Sequence, residues 1–183
     1  VPKPTSALFT DIQDELAHLI GSYLPDVTVR TIGMNDLASN ILAKARREVG
    51  SNAMIVSTCL EIAAPTKGAT FQINRIIDED GEIIGLGPRP GQPSLDDQVA
   101  AIVHQAAGRP IAVVEDGSFT GKTLRHVIEC FGSKGVKIET VVLGFAFPKA
   151  IETLNGLVNG SVHCVEVTDT TDLVDWMPDH DFI

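Results

Sequence analysis

Nine consecutive residues hold the chain's densest group of side chains suited to chemistry: Glu115-Asp116-Gly117-Ser118-Phe119-Thr120-Gly121-Lys122-Thr123. They follow the apolar run Ile111–Val114 and feed directly into a helical pattern. Gly117 and Gly121 permit close backbone approach and positive φ. Ser118, Thr120 and Thr123 offer hydroxyl donors, and a helix that begins here adds free N–H groups and positive potential. Such a set cradles a phosphate. The neighbouring carboxylates repel phosphate and suit a diol or a metal ion instead. A sugar phosphate with adjacent hydroxyls satisfies both halves. The segment also imitates the nucleotide-binding pattern GxxxxGK[ST], but only three residues separate Gly117 from Gly121. With four required, the first glycine would fall at Asp116, whose carboxylate would face a phosphate, so that reading fails on spacing.

The elements that position this segment follow from periodicity. Leu8, Ile12, Leu16, Leu19, Ile20 and Leu24 recur at helical spacing, and Pro25 ends that helix. Val27–Ile32 reads as a short strand. Asn35 or Asp36 caps a second helix with Leu37, Ile41, Leu42 and Ala45 on one face, closed by Gly50. Ala53–Ser57 is a buried strand, and 61–68 is a loop. Two alternating runs, 71–78 and 82–87, joined across Glu79-Asp80-Gly81, predict a hairpin. The Gly/Pro-dense stretch Gly87–Pro93 predicts an exposed loop. Ser94 caps a helix through about Ala107, with Val99, Ile102 and Val103 inward.

The second half is regular: strand Ile111–Glu115, helix Thr123–Gly132, strand Val136–Phe147, helix Lys149–Val158 and strand Val162–Val167. Strand and helix alternating at this spacing imply an α/β fold, with helices flanking a parallel central sheet. The expected organisation is one domain over 1–183, with its core at about 50–168. Segments 6–50 and 169–183 would form a hood. In an open α/β sheet, ligands bind at the carboxyl ends of strands, where the Glu115–Thr123 segment must lie.

Composition narrows the function classes. The chain has 183 residues, 14 Lys+Arg against 24 Asp+Glu, and a net charge of −10. Its apolar residues, 44% of the total, run along the whole length, which excludes a disordered chain. No apolar run approaches the roughly 18 residues of a transmembrane helix. The acidic balance argues against a nucleic-acid coat, which needs surplus positive charge. Cys59, Cys130 and Cys164 lack CxxC spacing and sit in apolar surroundings, as buried reduced thiols do. The scattered histidines give no zinc pattern, and His163, within a strand, reads as structural. The N-terminal stretch lacks the layout of a secretory signal, so a cytoplasmic location is expected.

The run V-V-E-D-G-S-F-T-G-K-T, residues 113–123, resembles the ribose-5-phosphate loop of type I phosphoribosyltransferases. That loop has two acids after a hydrophobic strand, three variable positions, then T-G-x-T. The following helix, glycine turn and strand extend the resemblance to about Phe147. The resemblance implies a Rossmann-like phosphoribosyltransferase fold. It also implies transfer of ribose 5-phosphate from phosphoribosyl pyrophosphate to a nitrogenous base, with Mg²⁺ as cofactor and pyrophosphate released. Glu115 and Asp116 would meet the ribose hydroxyls, directly or through Mg²⁺. Gly117, Ser118, Phe119, Thr120, Gly121, Lys122 and Thr123 would hold the 5′-phosphate.

Thr58, Lys67 and Arg89 are the candidates for pyrophosphate, although a basic loop residue such as Arg89 is ordinarily just solvated. The hairpin occupies the place of the family's mobile lid. Trp176 either stacks on a base or anchors the terminus. Purine-salvage members carry an acid where this chain has Phe119, which cannot exchange a proton; that argues against hypoxanthine or guanine. Hence a second expectation is a regulatory or inactive relative that binds phosphoribosyl pyrophosphate or a nucleotide. The expected partners are that small-molecule substrate and a second copy in a homodimer, with no nucleic acid and no membrane.

Overall fold

A computed structural model describes residues 6–24, 32–63 and 68–167 of the protein. The chain forms two compact units, Val1–Asp36 and Leu37–Ile183. The first contains helix α1 (Ser6–Tyr23), which stops two residues before Pro25, because a residue preceding proline is steered out of the helical region. Ile12, Leu16 and Leu19 of α1 are each about half exposed. The expected strand Val27–Ile32 lies almost wholly outside the described residues, as do Lys67 and the tail with Trp176.

Helix α2 (Met34–Val49) reaches into the second unit, where Leu37, Ala38, Ile41, Leu42 and Ala45 are buried. It begins at Met34, so Asn35 and Asp36 lie in its first turn and are not its cap. Gly50 closes it at φ +75°, as its position after the last apolar residue predicts. The sheet then unfolds from strand β1 (Met54–Ser57), the one-turn helix α3 (Leu60–Ala63) and the short strand β2 (Ala69–Thr70). A hairpin of β3 (Ile73–Ile77) and β4 (Ile83–Pro88) forms its own two-stranded antiparallel sheet. Helix α4 (Leu95–Ala106) follows, with the Ser94 hydroxyl accepting from the Asp97 amide at its start. Val99 and Ile102 of α4 are buried.

Strand β5 (Ile111–Ser118), helix α5 (Lys122–Ser133), strand β6 (Ile138–Ala146), helix α6 (Pro148–Leu154) and strand β7 (Val162–Val167) complete the order. The main sheet is β2-β1-β5-β6-β7, parallel throughout, flanked by helices as the alternating pattern predicts. Residues Val113, Val141 and Leu143 pack with α4, α5 and α6, while Val114 and Val142 pack with α2 and α3. β5 and β6 are therefore apolar on both faces, as buried parallel strands must be.

The expected loop 61–68 begins instead inside helix α3, because Leu60–Ala63 forms a helical turn, and β6 is shorter than the expected Val136–Phe147. Two further boundaries differ. β5 runs on to Ser118, because Gly117 and Ser118 pair with Phe145 and Ala146 of β6. The Asp-Gly turn signal is overridden by the neighbouring strand. α6 ends at Leu154, short of Val158, and Gly156 at φ +87° turns the chain there.

Candidate active site at the strand ends

Sheet order fixes where a site can form. From β1 the chain steps outward to β2, whereas β5 continues the other way to β6 and β7. The carboxyl ends of β1 and β5 therefore diverge into a crevice, the switch point where doubly wound sheets hold ligands. Parallel pairing of Ser57 with Val114 brings the residues just after each together: Thr58 and Cys59 from β1, Glu115 and Asp116 from β5.

The contacts are direct. The Thr58 amide donates to Val114 O at 3.2 Å, and its hydroxyl donates to the Glu115 carboxylate. Asp116 Oδ1 accepts from the Gly117 amide at 2.8 Å. Burial, reinforced by the hydrogen bond and the negative charge of Asp116, pushes the Glu115 carboxyl well above the usual range, while Arg89 pulls it back down. A proton or a cation thus relieves this acid pair.

Arg89 is half-buried and anchored, unlike the solvated loop residue that its composition suggests. Its Nε donates to Ile73 O at 3.3 Å and a terminal nitrogen to Thr58 O at 3.4 Å. Gln98, buried on α4, ties the base of the hairpin in place by bonding both the amide and the carbonyl of Gln72. The Arg89 amide in turn donates to Gln72 O. The hairpin thus delivers its one residue of interest from a fixed base.

All three cysteines are free; Cys59 is the buried thiol that its apolar surroundings predict, whereas Cys130 and Cys164, expected buried too, are only half-buried. Its place beside the acid pair is not legible in the sequence. Cys59 Sγ donates to Glu61 Oε2 at 3.1 Å, which holds the Glu61 carboxyl below its usual range. Burial, then Glu61 and Asp116, push the Cys59 thiol up to about 12. Only the sheet order, with β1 beside β5, pairs Cys59 with the acids.

The connection after β5 is Phe119, Thr120 and Gly121, so Gly117 and Ser118 belong to the ladder and only the shorter remainder forms a loop. Gly121 is the helix cap at φ +77°, and Lys122 N lies 3.5 Å from Thr120 Oγ1. A Cβ at Gly121 would meet Ala150 O at 3.1 Å and the Thr153 and Leu154 side chains. Glycine is required there by both conformation and space. Phe119 stacks on Phe147 at 5.0 Å and meets Phe145 edge-on at 5.9 Å, so it packs in an aromatic trio.

Fold and crevice together define an α/β protein with an acidic, hydroxyl-rich switch-point site. The solved structures that this chain is similar to include the following two. TT1426 of Thermus thermophilus aligns over 76% of this chain and 86% of its own, at 17% identity and a TM-score of 0.47. A purine phosphoribosyltransferase of Pyrococcus horikoshii aligns over 74% of this chain and 83% of its own, at 20% identity and a TM-score of 0.44. No family model matches the sequence, and no curated protein matches it. Among the described residues, no helix is long and apolar enough to cross a membrane.

Proposed function

We propose that this protein binds phosphoribosyl pyrophosphate and transfers its ribose 5-phosphate to a nitrogenous base. The observation that carries the reading is the placement of the E-D-G-S-F-T-G-K-T segment. Its acids lie near the carboxyl end of the central strand β5 at the switch point, and its hydroxyls and glycine cap lead straight into α5. The 5′-phosphate would take the helix N-terminus with Thr120, Lys122 and Thr123. The ribose hydroxyls would meet Glu115 and Asp116. Arg89 and Thr58 flank the acids on the side where a pyrophosphate group would leave.

Two adjacent carboxylates are hard oxygen donors, and they fit Mg²⁺. Glu115 and Asp116 would hold it, and the ion would neutralise charge on the departing pyrophosphate. The protein's own groups do the rest: α5 fixes the phosphate, the acids orient the sugar, and their negative charge favours positive character at the sugar's reacting carbon. The acceptor would lie toward the Phe119, Phe145 and Phe147 rings.

A second reading, a binding protein without transfer activity, is favoured by Phe119. Its ring is committed to packing where purine-salvage members carry an acid. Incubation with phosphoribosyl pyrophosphate, Mg²⁺ and a panel of bases, with pyrophosphate release as readout, separates the two. Release with at least one base is expected. Tight binding of phosphoribosyl pyrophosphate with no release for any base would establish the second reading instead.

A further inference from the structure

We infer that the switch-point crevice is a mixed sulfur–oxygen metal site, in which Cys59 joins Glu115 and Asp116 to bind a thiophilic divalent cation of the Zn²⁺ class. The inference rests on the reading of the acid pair as a cation site and changes which cation that site prefers.

The geometry comes from two separate segments. Cys59 follows β1, and the acids lie near the carboxyl end of β5. One ligand atom from each, the Cys59 sulfur and a carboxylate oxygen of Glu115 and of Asp116, lies within 4.8 Å of the other two. Donors this close can converge on one ion with small side-chain adjustments and leave a fourth position open, the arrangement of a reactive zinc centre. Cys59 is buried, and the two acids are partly buried. The immediate surroundings add a third carboxylate, Glu61, which the thiol touches. Arg89 is the cation that acts on both Glu115 and Glu61. Three carboxyl groups, those of Glu61, Glu115 and Asp116, thus converge on one thiol, a donor set that a divalent ion can share.

Donor chemistry then selects the ion. Mg²⁺ takes oxygen ligands and gains nothing from sulfur. Zn²⁺ and Co²⁺ accept thiolate and carboxylate together and exceed Mg²⁺ in affinity for such a set. As the metal–sulfur bond forms, the thiol proton leaves to solvent and Glu61 loses its donor. Asp96 and Glu129 act on Cys130, on α5, and Glu166 acts on Cys164, on β7, but among the described residues only Cys59 shares a cluster of metal-ligating donors, so the effect is specific to Cys59.

The test is a Co²⁺ titration of the intact chain, because a cobalt–thiolate bond produces a charge-transfer band in the near ultraviolet. Wild-type protein should develop the band at one equivalent and lose it when Zn²⁺ is added. Cys130→Ser/Cys164→Ser should retain it. Cys59→Ser, checked by circular dichroism for native fold, should lose the band. Its Zn²⁺ affinity should fall by about 100-fold or more, at least the loss given by outer-shell partners. Its Mg²⁺ affinity should stay within about twofold, since Mg²⁺ does not use the sulfur. Absence of the band in wild-type protein, or its survival in Cys59→Ser, overturns the inference. The wild-type measurement decides even if the variant fails to fold. Absence of the band in wild-type protein together with intact Mg²⁺-dependent binding of phosphoribosyl pyrophosphate would remove the mixed site alone. A band without any such binding would remove the transferase reading alone.

Discussion

Strands β1 and β5 present opposite chemistry at their two ends. The carboxyl ends carry Thr58, Cys59, Glu115 and Asp116, gathered at the switch point. The amino ends border a cavity of about 240 Å³ whose lining includes Arg46, Gln105 and Arg109 and no acid. Helix direction explains part of the difference. In a parallel α/β sheet, helices start near the carboxyl ends of strands and finish near the amino ends. Anionic groups are therefore stabilised at the first end and cationic groups at the second. Arg109 follows this rule, because its Nε and a terminal nitrogen donate to Ala106 O and Gln105 O at the finish of α4, both at 2.9 Å. Its charge is absorbed in completing the helix. At the carboxyl end, by contrast, burial and the neighbouring Asp116 drive Glu115 toward its neutral form. The arginine end completes a helix, and the acid end gathers donors from two strands.

The largest expected effect lies at the acid end. Asp116→Asn should weaken Mg²⁺-dependent binding of phosphoribosyl pyrophosphate by about 100-fold, or about 2.8 kcal/mol. Isothermal titration with and without Mg²⁺ reads this directly. Unchanged affinity would make the acid end structural like the other.

Next comes the pH response of Glu115. Its carboxyl titrates above the usual range in the folded chain, so the folded state keeps a proton that the unfolded state has already released. Stability attributable to this residue is full in acid and falls as pH rises from the ordinary carboxylate range toward the folded value. Glu115→Gln should therefore leave Tm near pH 4 almost unchanged and raise it at pH 7 to 8 by a few degrees, given about 2–4 °C per kcal/mol for a chain of this size. Thermal melts across that range, without divalent ions, check both limbs. A variant that is less stable at every pH would contradict it.

The smallest effect belongs to the arginine end. Arg109→Ala removes two helix-terminal hydrogen bonds and should cost about 0.5–1 kcal/mol of stability, with phosphoribosyl pyrophosphate affinity unaltered. Denaturant unfolding and the same titration would show the pairing of a small stability loss with no binding loss. A binding loss here would erase the contrast between the two ends.

The sequence is most readable where a local rule dominates. Ser94 caps α4, Gly50 closes α2, and the Glu79-Asp80-Gly81 turn joins β3 to β4, all governed by nearest neighbours. The parallel core strands are readable as continuous apolar runs. What escapes depends on partners remote in the chain. By its own residues β5 ends at Glu115, since Asp-Gly signals a turn, yet pairing with β6 carries it through Ser118. Strand β2, two residues long, exists only because β1 lies beside it. Thr58 and Arg89 enter the sequence reading as pyrophosphate candidates, but their contacts around the acids are not encoded in any spacing, and Cys59 is legible only as a buried thiol. Side-chain convergence across strands requires sheet order, and no spacing along a single segment encodes that. Lys67 lies outside the described residues.

The two glycines beside the acid pair bear on how portable this site is. A Cβ at Gly117 would overlap the Phe145 ring, and one at Gly144 would overlap the Asp116 carbonyl oxygen as well as the Leu37 and Ile41 side chains. Gly144 lies on β6, outside the nine-residue segment, yet without it the backbone of Asp116 has no room. Transplanting E-D-G-S-F-T-G-K-T alone into another parallel sheet would therefore carry the donors without the bed they lie in. The transferable unit is two adjacent strands, one bearing the acids and the other the vacancy that admits them.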